Sequence, residues 1–482
     1  MPRGPLQIFS LLLLFLCATV AQAEEPAEVR TVDGYRGIWF TLGQKSEHGD
    51  KYSGGLGTYT AKHRPLAIYS KEADKTFFVY GGTPAQDRRY LLAMIGCYDH
   101  ATGKVAKPVV VHDKGGVDDP HDNPSITMDD EGYLWVFVSG RGRSRPGFIY
   151  RSNQPHDING FELVSEQEMT YPQPWYHPEH GFLHLFTKYT NGREAYWANS
   201  KDGKTWTETQ KLASIGRYQS SEPRGERVVT AMNVHVPPMN VDARTNLYVL
   251  ETPDWGKTWQ QVDGKPLKLP IEEGDGQALV RDYQSEGRLV YLKDVNFDAD
   301  GNPIILYITS GDFKPGPGGE PRTWTIAHWT GEKWLFHEIA PTTHNYDMGS
   351  LYVEEDGTWR IIAPTQPGPS HWGTGGEVAI HTSTDQGKTW KKIRDVTTAS
   401  PRNHGYVRRP VDAHPDFYAF WADGNPDEMT TSKIYFTNQA GDKVLELPYE
   451  MEGDWAEPKV VSEVTPPRRR VIREPLKIIP VD

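Results

Sequence analysis

Four stretches of the chain open on a histidine that leads into polar residues and then an apolar run: His63, His121, His235 and His344. Three further stretches of the same build open on Tyr171, Asp294 and Arg409. Around these heads lie Asn123, Arg141 and Lys188, so imidazole, phenol, amide and cationic groups recur at one point of each repeat while facing pairs of carboxylates are scarce. That set suits β-elimination from a uronic acid. A cation or amide neutralises the sugar carboxylate, a Tyr or His removes the acidified C5 proton, and an acid assists departure of the O4 substituent. Glycoside hydrolysis would instead call for two carboxylates across the bond, and neither Asp294 nor Asp347 has a recognisable partner. No H-x-x-x-H spacing joins these four head histidines to one another, so neither a metal nor another cofactor is expected.

For the heads to act together, the fold must bring distant repeats to one place. The seven units recur at about 50 to 65 residues, enough for a four-stranded sheet with its turns, and repeats of this period mark propellers, solenoids or arrays. A solenoid uses a shorter repeat, so the reading is an all-β, seven-bladed β-propeller over residues 24–465 with few helices. Its blades would present His63, His121, Asn123, Tyr171, His235, His344 and Arg409 to a common axis, with Arg141 and Lys188 close by. His121 and Tyr171 are the expected catalytic pair; the others are expected to bind substrate.

A second motif repeats between the heads. Ser383 to Trp390 (STDQGKTW) fits the Asp-box pattern, and Thr252 to Trp259 and Ser200 to Trp206 are variants. Asp and Ser side chains bind turn backbone, Gly takes an unusual conformation and Trp packs under the hairpin, so these residues serve folding. Asn296 to Gly301 imitates the first half of a calcium loop, but Tyr307 stands where a glutamate is required, and a hairpin turn is expected.

Composition bounds the setting. An apolar run from Leu6 to Val20 followed by Ala21-Gln22-Ala23 reads as a signal peptide, residues 1–23, and predicts a secreted or periplasmic protein without a membrane span. Cleavage there leaves Cys97 as the one remaining cysteine, which excludes an intrachain disulfide. A net charge of −12 argues against nucleic acid as partner, and residues 466–482, with Pro466-Pro467-Arg468-Arg469-Arg470, read as a solvated C-terminal extension. The expected state is a monomer, and the expected partner an acidic polysaccharide or oligosaccharide.

The motifs YRGIW (Tyr35 to Trp39), KYSGGLGTY (Lys51 to Tyr59), HDNPSI, YPQPWY (Tyr171 to Tyr176), RDYQSEGRLVYLKD (Arg281 to Asp294), HNYD, GTWRIIAPT (Gly357 to Thr365) and HPDFYAFWADG (His414 to Gly424) resemble those of the BNR repeat-containing propellers. That group includes α-L-rhamnosidases that release rhamnose linked to glucuronic acid and, more distantly, ulvan lyases. The rhamnosidase resemblance implies a catalytic His shortly after the G-I-W motif, where this chain has Gln44. The lyase resemblance implies a catalytic His at His121, a catalytic Tyr at Tyr171, a cation near Lys188 and a second His near Arg141. Three activities follow as expectations: elimination at a rhamnose-glucuronate type polysaccharide, exo-α-L-rhamnosidase action, or glycan binding without turnover. For the last, Trp175, Tyr176, Trp372 and Trp421 would stack on sugar rings.

Overall fold

The computed structural model describes residues 31–56, 62–85, 88–214, 217–235, 241–272 and 274–463. The expected signal peptide and the extension 466–482 lie outside the described residues, as does the end of the KYSGGLGTY motif. Among the described residues the fold is all-β, broken only by single 3-10 turns at Pro120–Asp122 and Pro317–Gly319. No helix among them is long and apolar enough to cross a membrane.

Strand sequences explain the layering. Leu134–Val138 (LWVFV) and Pro303–Ser310 (PIILYITS) are buried at every position. Continuous apolar runs of this kind, rather than alternating ones, arise where both faces of a sheet are covered. Each such Leu, Ile, Val or Phe contributes about 1.5–3 kcal/mol on burial. The sheets therefore stack face to face around an axis, in a β-propeller arrangement.

Six sheets of four or five strands follow one another along the chain. Their first strands, Pro124–Met128, Thr170–His177, Arg217–Arg224, Leu289–Phe297, Ser350–Val353 and Asn403–Arg408, form the inner edges. An eight-stranded sheet closes the ring; it gathers Gly37–Ile38, Lys75–Gly82 and Leu92–Asp99 with Thr431–Ser432 and Trp455–Ala456 from the far end of the chain. At the axis Ile68 bridges Val411 in parallel, completing the circle. The regular sheets thus number six, and the expected seven is reached only by counting the composite sheet as a blade.

Two sequence expectations shift in register. The fourth repeat was expected to open at His235, but the inner strand of that sheet is Arg217–Arg224, and His235 follows the second strand, Arg227–Val234. Arg409 likewise follows its inner strand instead of heading it. In both places the strand that follows the polar residues, Thr245–Thr252 or Ala419–Gly424, is apolar enough to pass for an inner strand.

The Asp-box turns form as expected. Asp385 accepts from Thr389 N–H at 2.9 Å, and Trp390 Nε1 donates to the Gly387 carbonyl at 2.9 Å. Gly387 has φ of +81°, and a Cβ there would sit 2.3 Å from the Ile326 side chain, so both conformation and space call for glycine. The mock calcium loop is a hairpin turn: Asp298 accepts from Asn302 N–H at 2.7 Å and from His328 Nε2 at 2.8 Å.

Candidate active site

Tyr171 is aimed by a defect in its strand. Thr170 pairs with Thr187 and Gln173 with Leu185, so one extra residue bulges between them. Bulges redirect side chains, and here Tyr171 takes a left-handed φ of 56°. For a non-glycine residue that costs about 1–3 kcal/mol and persists only where surroundings impose it. They do: Tyr171 N–H donates to Ser139 Oγ at 3.2 Å, Thr170 Oγ1 to the Gly140 carbonyl at 2.8 Å, and Ser125 Oγ to the Pro172 carbonyl at 2.8 Å. The phenol is buried, 3% exposed, between His63, His121 and Tyr218, with ring centroids 5.4, 5.5 and 6.2 Å away. Burial pushes its pKa well above the ordinary phenol value, assisted by Tyr189 and Tyr218 and opposed by Arg193 and Arg244. In this environment the hydroxyl holds its proton at neutral pH.

His121 is set by the two residues before it. Asp119 caps the short turn, accepting from His121 N–H at 3.0 Å, and Pro120 supplies a fixed φ at its first position. The same carboxylate oxygen lies 2.5 Å from His121 Nδ1. Burial raises the Asp119 carboxyl, but the hydrogen bonds from His121 and Arg145 override it and hold it well below the usual carboxylate range. Asp119 is therefore an acceptor, His121 Nδ1 is the donor, and the imidazole lone pair lies on Nε2. Burial lowers the His121 pKa below the ordinary value, with Asp119 pulling the other way, so the ring is neutral at pH 7.

His63 stands behind this pair. Its Nε2 donates to the His121 carbonyl at 3.0 Å, and burial drops its pKa to about 3. It steadies the His121 backbone as a neutral donor. Arg141 Nη1 and Arg145 Nη2 donate to the second Asp119 oxygen at 2.7 and 2.6 Å. With its side chain 36% exposed, Arg141 brings this network to the surface.

Sequence reasoning missed Asp119, Arg193 and Arg244, whereas Tyr218 lies in the polar segment Arg217 to Gln219 that the sequence offers as a lining of the same funnel. The Arg193 guanidinium lies 5.6 and 6.0 Å from the Tyr189 and Tyr218 ring centres, its Nε donates to Tyr189 Oη at 3.2 Å, and no carboxylate pairs with it among the described residues. Arg244 stacks 3.9 Å above the Tyr218 ring and is 4% exposed. Arg193 follows Lys188 by five residues, across a turn containing Asn191 and Gly192, so a search for a cation beyond the strand end would have reached it.

The remaining expected residues are elsewhere. Lys188 sits over the Tyr196 ring at 5.3 Å and donates to Thr209 Oγ1 at 3.3 Å, toward the outer strands of its own sheet. Asn123 is fully buried and donates to the Leu56 carbonyl, which braces the ring closure. His344 is buried; its Nδ1 accepts from Tyr346 N–H at 3.1 Å, and burial takes its pKa to about 3. His235 is half-buried at the exit of the second strand of the third regular sheet. Gln44 is exposed beside a two-residue ribbon strand, and its carbonyl accepts from Lys51 N–H at 3.1 Å. Trp175 and Trp421 are core residues, donating to Ser221 Oγ at 2.9 Å and His404 Nδ1 at 2.8 Å, so neither offers a sugar-stacking face.

Arg409 belongs to an ion-pair quartet on the axis. It lies 3.2 Å from Glu222 and 3.6 Å from Asp294, while Arg64 pairs with Glu222 and reaches Asp294 at 2.9 Å. Removing one member of a buried ionic group strands the others. Arg409→Met is therefore expected to cost about 3–5 kcal/mol in denaturant unfolding, while KM of the folded variant stays unchanged. A rise in KM without loss of stability would return Arg409 to the substrate site.

The sequence and the fold each have relatives. An ulvan lyase of Nonlabens ulvanivorans is 24% identical over 339 residues, 62% of this chain and 69% of the relative. A protein named Ulvan Lyase-PL25 from Pseudoalteromonas sp. (strain PLSV) is 22% identical over 348 residues, 62% of this chain and 70% of its own. A solved PL25 ulvan lyase bound to -[GlcA(1-4)Rha3S]- superposes with a TM-score of 0.67 at 17% identity, covering 86% of this chain and 96% of that one. The polysaccharide lyase Uly1 gives a TM-score of 0.59 at 11% identity, covering 85% and 98%. The BNR repeat-containing family model matches residues 93–365, more than half of the sequence, and the chain belongs to that family.

Proposed function

We propose that the protein is a polysaccharide lyase that cleaves an acidic polysaccharide at a uronic acid by β-elimination. The observation that carries this reading is the placement of a neutral, Asp119-oriented His121 beside a protonated, strained Tyr171, with Arg193 and Arg244 next to the phenol. Its relatives named as ulvan lyases support the same class. The composite sheet serves as the seventh blade in this reading, carrying His63 at its inner margin.

The roles differ from the sequence expectation, which made Tyr171 the base. His121 Nε2 takes the C5 proton; the C–H electron pair forms the C4=C5 double bond; the C4–O4 bond breaks, and Tyr171 gives its proton to the departing O4. Arg193 neutralises the uronate carboxylate in place of Lys188, which makes C5 acidic enough to lose its proton. Arg244 stabilises the tyrosinate that remains, until His121 returns its proton. Arg141, Arg145 and His63 hold Asp119 and His121 in position. The preferred substrate is a rhamnose-glucuronate type chain.

The test is incubation with such a polysaccharide while following absorbance of the unsaturated uronate. A steady rise is expected. Rhamnose release without that absorbance would replace elimination with hydrolysis, and binding without any product would reduce the protein to a glycan-binding propeller.

A further inference from the structure

Below the candidate site the axis carries more positive than negative charge. A small cavity of about 20 Å³ is lined by Arg64, Trp175, Glu222, Asp294, Arg408 and Arg409, among others. Arg64 and Arg409 both bind Glu222 and Asp294, which matches two guanidiniums to two carboxylates. Arg408 is the third guanidinium on this wall, and its Nε and one Nη are buried without a hydrogen-bond partner among the described residues. The Arg408 side chain is 7% exposed, too enclosed for bulk water to take that role.

Lys62 repeats the anomaly. It is 2% exposed, its ammonium has no hydrogen-bond partner among the described residues, and the charges acting most on it are all cations: Arg244, Lys293, Arg408 and Arg64. Lys293 has Asp347 nearby, and Asp294 acts on Arg408 from a distance, so the groups left without a hydrogen-bonded counter-charge among the described residues are Lys62 and Arg408. A buried amine can shed its proton, whereas a guanidinium lowered only to about 10 by burial stays charged at neutral pH. An isolated buried charge is far costlier than a paired one, and such groups occur with a counter-ion.

We propose that a single halide-sized monovalent anion resides on the propeller axis, bound by Arg408 and compensating the charge of the Arg408–Lys62 region. The size follows from the cavity, which holds about one water-sized particle. The single charge follows from the excess of one guanidinium over the carboxylates around the cavity. A tetrahedral divalent oxyanion is excluded by both room and repulsion from Glu222 and Asp294. The enclosed position also separates this site from the polysaccharide site, so the anion is structural and is not a substrate group.

Bromide soaking of wild-type crystals, read by anomalous scattering, is the first test. One peak is expected on the axis against Arg408 Nε and Nη; absence of a peak there would overturn the proposal. Thermal melts after exhaustive exchange into gluconate, at constant ionic strength, give the second. Chloride or bromide is expected to raise Tm by about 2–4 °C in a saturable manner. Arg408→Gln is expected to abolish that response, and a response that survives in Arg408→Gln would place the anion elsewhere. Should that variant not fold, the wild-type peak and halide titration decide; a flat wild-type titration would contradict the proposal.

Discussion

Tyr171→Phe is expected to lower kcat by about 10²–10⁴, the range supplied by a positioned general acid, with KM nearly unchanged. The substitution removes one hydroxyl and leaves the ring between His63, His121 and Tyr218. Backbone contacts, not the hydroxyl, impose the unusual φ, because Ser139, Gly140 and Ser125 hold the segment on both sides of the bulge. Stability should therefore change by about 1 kcal/mol or less. A variant that keeps full activity would remove Tyr171 from the chemistry. Loss of activity accompanied by a large fall in Tm would assign it to the fold instead.

His121→Ala is expected to abolish detectable elimination, since a base contributes a further factor of about 10²–10⁴ and no other imidazole takes its place. Asp119→Asn separates orientation from charge. With Asp119 ionised, the lone pair is fixed on Nε2; an amide can satisfy Nδ1 in either tautomer, so part of the population loses its base. The pH profile carries a signature that mere destabilisation would not. The proposed elimination needs neutral His121 and protonated Tyr171, and burial favours both forms, lowering the first pKa and raising the second. Wild-type kcat should fall on the acid side as His121 gains a proton and hold its plateau past the ordinary phenol value. Asp119 normally raises the His121 pKa, so Asp119→Asn should move the acid limb to lower pH while reducing the plateau. An acid limb that moves to higher pH would contradict the assigned dyad.

Local chemistry was legible where one stretch of chain contains it. The Asp-box at Ser383 to Trp390 makes its hydrogen bonds within eight residues, so its turn could be read directly. The same holds for the hairpin at Asp298 and for the buried strands with apolar residues on both faces. Selecting the inner strands was harder, because every strand in a stacked sheet is apolar. Arg217–Arg224 has a more polar sequence than the strand after it, so the polar residues at His235 imitate a repeat head.

In the site, His121 and Tyr171 could be singled out by residue type, but their protonation could not. It depends on burial and on Asp119, Arg193 and Arg244, which belong to three different sheets or turns. Arg409 looked like a binding cation because its partners Glu222 and Asp294 are 187 and 115 residues away in sequence. The same holds for Asn123, whose acceptor, the Leu56 carbonyl, comes from the segment that closes the ring. Long-range pairing converts apparent chemistry into architecture, and sequence spacing alone carries no record of it.

In the proposed elimination the glycosidic linkage is broken without water. Digestion of a uronic-acid-containing polysaccharide in ¹⁸O-enriched water, followed by mass spectrometry of the oligosaccharides, tests this directly. Elimination predicts products whose new non-reducing ends carry a C4=C5 double bond and whose freshly formed fragments gain no ¹⁸O beyond slow exchange at the reducing end. Incorporation of one ¹⁸O per bond cleaved, with saturated ends, would establish hydrolysis and exclude elimination.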